Sequence, residues 1–430
     1  MEPGAAVTQE ELVALRRELH RHAESGFSEF WTTAFLAERL SAAGCAVRVG
    51  DEAVSREARR GVPPARVQEA RLAAARAQGA SPAWLERMDG LTGLVADVRP
   101  DLPLHTVFRF DIDAVDVDES PSPEHRPARE GFRSLNKGHC HACGHDAHAA
   151  IGVGVALELL RRRESLRHNV RLLFQPAEEG MRGAFAMAEA GAVQGAKYVF
   201  TAHIGMNARQ PHELICGTEG FFASTKFDVE FVGKAAHAGA EPHAGHDSIL
   251  AASSAVLALH AISRHGEGET RIAVGRIEGG TGRNVIASSA RLSCETRGST
   301  TAVNDWMFQQ ACRVIEHTAA MYEQEYRITV MGGGGTAVSD DSVCEVVRRA
   351  AANVPYFHPE LIRRRGRGYG ADDACVFLEA VQKQGGAGAY AQIGSHLPAG
   401  HHSPDFDIDE ELLLPSVELF YRVALELDTM

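Results

Sequence analysis

Leu12, Leu15 and Leu19 return at helical spacing behind Thr8-Gln9-Glu10-Glu11, where the threonine and Glu11 can cap each other's backbone. A helix is therefore expected to open at Thr8 and to end in the polar run 20–26, with a second helix over about residues 28–43. Between residues 51 and 90 the apolar period gives way to Arg, Ala and Glu, broken at Gly61-Val62-Pro63-Pro64. That composition predicts an inserted pair of helices with a solvated surface. From Leu91 onward, short β-rich runs alternate with helical ones. Strands are expected over 92–98, 106–110, 169–174 and 198–203, and helices over 146–163 and 182–190. Strands separated by helices of this length imply an α/β unit with a mostly parallel sheet, covered on both faces.

After Gly217 the order changes. Lys226-Phe227-Asp228-Val229-Glu230-Phe231-Val232 alternates polar and apolar as a half-exposed strand should. A helix over 248–264, strands over 271–277 and 290–296, a helix over 303–322 and a strand over 326–330 complete a β-α-β-β-α-β unit. That order predicts a ferredoxin-like, split βαβ domain. Met331-Gly332-Gly333-Gly334-Gly335 is expected to be the hinge out of it, since no Lys-Ser/Thr pair follows to make it a phosphate loop. Residues 1–221 and 332–430 should then form one domain, closed by a helix over 411–427, with 222–331 inserted into it.

The length, 430 residues with 44% hydrophobic, exceeds what one core usually supports and agrees with two domains. A formal net charge of −13 argues against nucleic acid and anionic membrane as partners, both of which need a basic face. An acidic small substrate remains compatible, because a few local arginines can outweigh the global sign. The first residues lack a basic segment followed by an apolar run, and the apolar stretch 149–160 is too short to cross a bilayer. Only Cys140 and Cys143 of the eight cysteines lie close together, so a reduced, cytoplasmic setting is expected.

Chemistry concentrates in His139-Cys140-His141-Ala142-Cys143-Gly144-His145-Asp146-Ala147-His148. Imidazole nitrogen and thiolate sulfur are good ligands for zinc and its neighbours, and Asp146 could orient a ligating imidazole. The competing readings are a buried loop satisfied internally and a Cys-x-x-Cys redox pair. Crowding by histidines and the lack of a helix starting at Cys140 rank both below metal binding. Glu178-Glu179 follows the expected strand 169–174, and His203 ends the strand 198–203. Each alone has a plain alternative: charge at a helix start, or an ordinary strand-end histidine. Ligands of open α/β sheets gather at the carboxyl ends of strands, and three such ends carry donors here. His401 and His402 precede Ser403-Pro404 and offer a late donor, the spacing favouring His402.

Phe110-Asp111-Ile112-Asp113-Ala114, His141-Ala142-Cys143-Gly144-His145-Asp146, Pro176-Ala177-Glu178-Glu179 and His402-Ser403-Pro404 together resemble the aminoacylase/hippurate-hydrolase branch of the two-metal metallopeptidase family. The likeness runs almost end to end, through Ala235-Ala236-His237-Ala238-Gly239, Gly282-Arg283-Asn284-Val285 and Glu295-Thr296-Arg297-Gly298. It includes the 51–90 insertion, which marks a narrower group. The resemblance implies a metal-dependent amidohydrolase of N-acyl amino acids, with an aroyl-glutamate such as p-aminobenzoyl-glutamate as its narrowest form. Cys143, His145, Glu179, His203 and His402 would hold two divalent ions, Mn²⁺ by resemblance, although the Cys143 thiolate suits Zn²⁺ or Co²⁺ better. Glu178 would be the general base and later the acid, with Asp113 supporting the metal loop. His237 would serve the site of a neighbouring subunit from a dimerisation or lid domain, in a homodimer or beside a related second subunit. Asn284 and, more weakly, Arg297 would bind substrate, with Arg182 and Arg283 as further cationic candidates; strand pairing is the plain alternative for Arg297.

The sequence departs from the family at Cys140, where methionine is usual, and at Gly370-Ala371-Asp372-Asp373 for Gly-Ser-Glu-Asp, where the shorter Asp372 could loosen the metal loop. Among rivals, a general aminoacylase keeps the class and changes the acyl group. A non-catalytic subunit is opposed by the full donor set. A zinc deaminase fails, because no later Pro-Cys-x-x-Cys exists.

Overall fold

In the computed structural model, residues 6–368 and 370–430 are described. Thr8 caps helix Gln9–Arg21 through Glu11 as its sequence predicts, and Glu11 returns the bond to the Thr8 backbone. Its apolar stripe, Leu12, Leu15 and Leu19, is buried. Helix Phe30–Ala43 follows.

Four strands lie parallel at the centre of an eight-stranded sheet, in the order Asn169–Gln175, Leu104–Asp111, Tyr198–Ile204 and Ala387–Ile393. The strands Ala46–Arg48 and Leu94–Asp97 on one side and Leu214–Ile215 on the other join antiparallel. Antiparallel margins therefore flank a parallel centre, which the helix–strand alternation does not show for the short edge strands.

Helices His145–Arg161 and Leu413–Leu427 pack on this sheet, where Phe108, Phe110 and Phe200 meet Phe420 at ring separations of 5.2, 5.0 and 4.6 Å. Gly152 is required there: a Cβ would come within 2.7 Å of the Phe110 ring and 2.8 Å of Phe174. The 51–90 insertion forms helices Ala65–Ala77 and Pro82–Met88. It is less solvated than its charge suggests, because Ala75, Trp84, Leu85 and Met88 are buried against the main core.

Residues up to Gly220 and from Ala337 onward make one compact unit, and Phe221–Thr336 make a second. In the second unit a four-stranded antiparallel sheet runs Glu325–Gly334, Ala223–Val232, Ser289–Gly298, Thr270–Gly279. Helices Ser248–His260 and Thr301–Met321 bury Ala255, Leu259, Met307 and Ile315 in a core of their own. This is the split βαβ order.

The glycine run is not a loose hinge. Strand Glu325–Gly334 continues through it, pairing Gly332, Gly333 and Gly334 with Lys226, Thr225 and Ser224 after a register shift. Gly333 has φ +145°, and a Cβ on it would lie 2.4 Å from the Ser224 carbonyl oxygen. Close backbone approach explains the glycine. No helix among the described residues is long and apolar enough to cross a membrane.

Candidate metal centre

Strand ends deliver the chemistry. Asp111 closes Leu104–Asp111 and Asp113 lies two residues on; Pro176-Ala177-Glu178-Glu179 follows Asn169–Gln175; His203 sits at the end of Tyr198–Ile204. Helix His145–Arg161 begins among them, its Gly144 cap in the left-handed region at φ +88°.

Hydrogen bonding fixes which imidazole nitrogens are left bare. His145 Nδ1 donates to the Asp113 carbonyl oxygen at 2.9 Å, beside Asp113 Oδ1 at 3.2 Å. Its Nε2 is buried and makes no hydrogen bond, the nearest carboxylate oxygen being Asp111 Oδ2 at 3.7 Å. His203 Nδ1 donates to the Ile204 carbonyl at 2.8 Å, leaving Nε2 facing Cys143 Sγ at 3.5 Å. His402, at φ +65°, is pinned by its N–H on the Ala142 carbonyl at 2.7 Å, and its Nε2 lies 3.1 Å from Glu179 Oε1. Asp113 Oδ2 accepts the Glu179 N–H at 2.9 Å, so one carboxylate holds both His145 and the glutamate loop. Ligand atoms of Cys143, His145 and His203 lie within 4.8 Å of one another, as do those of Cys143, Glu179 and His402 and those of His145, Glu178 and Glu179. These overlapping donor sets, with sulfur, nitrogen and oxygen, fit two divalent cations sharing ligands.

His148 is excluded from that set by its own bonds. Its Nδ1 donates to Asp111 Oδ1 at 2.6 Å and its Nε2 accepts the Ile204 N–H at 3.0 Å. His401 is engaged likewise, Nε2 donating to the Ile204 carbonyl at 3.2 Å while its ring packs on Phe406. Geometry thus puts His402, not His401, beside Cys143 and Glu179.

Burial and charge set the protonation. Burial raises the Glu178 carboxyl well above its usual range, helped by Asp372, Glu179 and Asp373. Against burial, the carboxylates and thiol around His145 hold its imidazole well above its ordinary value, and hydrogen bonds with Cys143 and Glu179 raise His402 to about 10. Burial, with His148 and His401 close by, pushes His203 well down. Beneath the cluster, Arg109 is fully buried against Asp111, Asp372 and Asp373 and donates to Gln175 Oε1 at 2.6 Å. Asp372 accepts from Tyr390 Oη at 2.6 Å and from Arg109, so the shorter side chain is held rather than loose.

Other expectations change. Asp146 does not orient a ligand imidazole: its Oδ2 meets Arg16 Nε and His20 Nδ1, each at 2.7 Å, where it starts the helix. Cys140 lies outside the donor sets, buried with its thiol pushed up to about 12. Arg182 is committed to main-chain oxygens, Nε to Glu179 and Nη1 to Gly61, both at 2.9 Å.

In the second unit His237 and Asn284 are exposed. His237 Nδ1 accepts the N–H groups of Gly239 and Ala240 at 3.1 and 3.0 Å, which leaves Nε2 to carry the proton. Asn284 lends its carbonyl to the Ala238 N–H at 3.1 Å. Arg297 pairs with Glu295 at 3.0 Å along its own strand.

Residues 107–426 match the family described as Peptidase family M20/M25/M40. An indole-3-acetyl-aspartic acid hydrolase of Enterobacter agglomerans is 41% identical over 96% of this chain and 95% of its own. A p-aminobenzoyl-glutamate hydrolase subunit of Escherichia coli is 40% identical over 95% of this chain and 94% of its own. The chain belongs to the M20/M25/M40 peptidase family. A solved aminobenzoyl-glutamate utilization protein of Klebsiella pneumoniae superposes on this M20 chain with a TM-score of 0.83 at 34% identity, over 97% of it and 95% of the other. Membership makes the protein a metal-dependent hydrolase of amide bonds, in agreement with the donor sets.

For this M20 enzyme, residue types alone did not single out Arg109 and Asp373, and they counted His148 within the crowded donor loop although Asp111 and Ile204 engage it. A signal existed for Asp111, because the strand period of two places it on the same side as Asp113.

Proposed function

We propose that the protein hydrolyses the amide of an N-acyl amino acid whose amino acid is acidic, with p-aminobenzoyl-glutamate as the first substrate to test. The names of the relatives at 40–41% identity, one acyl-aspartate and one acyl-glutamate hydrolase, support the acidic product. Two divalent ions, Mn²⁺ preferred over Zn²⁺ or Co²⁺, would be held by Cys143, His145, Glu179, His203 and His402, with Asp113 behind them. A single observation carries this: the buried, unbonded His145 Nε2, set among a thiol and carboxylates that repel each other without a cation between them. When bound, the ions supply an acidified water and positive charge at the scissile carbonyl.

Glu178 takes the water's proton on its carboxylate and hands it to the departing amine, so one carboxylate serves as base and then as acid. His237 offers a neutral Nε2–H donor to the developing oxyanion in the site of a second protomer, whether a copy of this chain or a related one. Phe221–Thr336 would be the dimerisation and lid domain that presents it, with Asn284 placed to meet the substrate's α-carboxylate. Arg297, satisfied by Glu295, is the weaker binder. All eight cysteines are unpaired, which supports the cytoplasm as the setting.

The test strips the metal and restores Mn²⁺, Zn²⁺ or Co²⁺ separately, then follows p-aminobenzoyl-glutamate beside N-acetyl and N-benzoyl amino acids. Metal-dependent release of glutamate supports the reading. Turnover of neutral amino-acid conjugates alone would replace it by a general aminoacylase.

A further inference from the structure

Some arginines of the larger unit are paired with carboxylates and others are not. Arg16 and Arg109, fully buried, are each surrounded by carboxylates. Arg59, Arg71 and Arg182 are half-buried, and none forms an ion pair with a carboxylate of the described residues. Carboxylates stand farther off, Glu29 and Asp51 toward Arg59, Glu24 toward Arg71 and Asp116 toward Arg182, so Arg59 and Arg71 keep donors free for an anion from outside.

Their position relates them to the chemistry. Arg182 donates to the carbonyl of Glu179, and its guanidinium stands 5.7 Å from the centre of the Phe27 ring; Arg59 stands 5.6 Å from the same ring. Arg59 Nε is buried and makes no hydrogen bond. Gln68 Nε2 donates to the Phe27 carbonyl at 2.8 Å, and the nearby Glu29 carboxylate accepts the Ala177 N–H at 2.7 Å, which ties this segment to the Glu178-Glu179 loop. Arg71, from the insertion's first helix, contacts Nε2 of His139, whose Nδ1 is held by Asp116 at 2.9 Å. His139 stands four residues before Cys143, and Asp116 three after Asp113. The Asp116 carboxylate, toward which Arg182 lies, is thus already engaged by His139.

We propose that the 51–90 insertion is the specificity element for the leaving amino acid, with Arg71 and Arg59 binding its side-chain carboxylate. The insertion thereby distinguishes a dicarboxylic amino acid from its neutral isostere. This rests on the reading above of an N-acyl amino acid hydrolase, and it assigns a job to a segment outside the metal site. Arg182 is left intact in the test, because its Nε supports the glutamate loop.

Arg71→Met and Arg59→Met are compared with the unsubstituted, metal-loaded enzyme on two conjugates sharing one acyl group, N-acyl-glutamate and N-acyl-glutamine. A charged hydrogen bond is worth on the order of 10- to 100-fold, so kcat/KM for the glutamate conjugate should fall by about that factor. The fall should come through KM and exceed that for glutamine at least about tenfold. Arg71→Lys should restore part of the loss. Equal losses on both conjugates, or no loss on either, overturn the proposal and leave the arginines structural. If the unsubstituted enzyme cleaves neither conjugate, the functional reading fails instead. Calorimetric binding of free L-glutamate against L-glutamine, in the unsubstituted protein and in Arg71→Met, then decides the subsite by itself. Glutamate binding that the substitution weakens supports it, and indifference between the two ligands sinks it.

Discussion

The donor cluster of the larger unit and the candidate residues of the smaller one are built on opposite plans. In the larger unit buried hydrogen bonds tie the donor residues together: Asp113 holds His145 and the Glu179 N–H, and Asp111 holds His148, which holds Ile204. In the smaller unit His237 and Asn284 are exposed, and their two segments are joined to each other by backbone hydrogen bonds. The contrast teaches that the first region is arranged around something it must bind, whereas the second leaves its side chains open to solvent, as the role proposed for His237 requires. Pre-organisation is needed where repelling charges must be held together, and is dispensable where one neutral N–H is presented.

The sharpest test of that contrast is Glu178→Gln, which should lower kcat by on the order of 10²–10⁴ while leaving the metal content unchanged. Loss of metal along with activity would make Glu178 a ligand first. His237→Ala should cost on the order of 10²–10³ in kcat, with an unaltered unfolding midpoint, because its side chain supports little in its own unit. A drop in stability of similar weight would erase the distinction between the two regions. Arg109→Met removes the counter-charge of Asp111, Asp372 and Asp373 and should cost about 3–5 kcal/mol in chemical denaturation. Arg297→Ala, on a partly exposed pair, should cost less than about 1 kcal/mol.

The smallest effect concerns acid. Burial, with His168 and Lys197 nearby, lowers His105 to about 4, below the roughly 6.5 of an unfolded chain. The unfolded state then binds the extra proton between those values, so stability falls as pH drops from about 6.5 toward 4. His105→Phe should flatten that part of a pH series of melting temperatures; an unchanged slope would assign it to other groups.

Periodicity made the architecture legible because each helix and strand shows its own buried face in sequence. The split βαβ order and the capping box at Thr8 needed no partner to be read. The solvation of the insertion was misjudged from its charged composition, although Trp84, Leu85 and Met88 stand at helical spacing and are buried. The glycine run misled for a related reason. Glycine marks a flexible loop and a close strand crossing alike, and only the Ser224 carbonyl beside Gly333 separates them.

For the site, the sequence by itself determined which residue types could hold metal: Cys143, His145, Glu178, Glu179, His203 and the His401-His402 pair stand in recognisable short patterns. Only the tertiary structure decided among neighbours. His402 rather than His401, and Asp111 rather than Asp146, face the cluster because contacts from a strand and a helix far apart in sequence consume the alternatives. Ligand identity is a property of each residue's chemistry, which sequence records. Ligand availability depends on which lone pairs remain after every other bond is made, and the folded chain alone settles that.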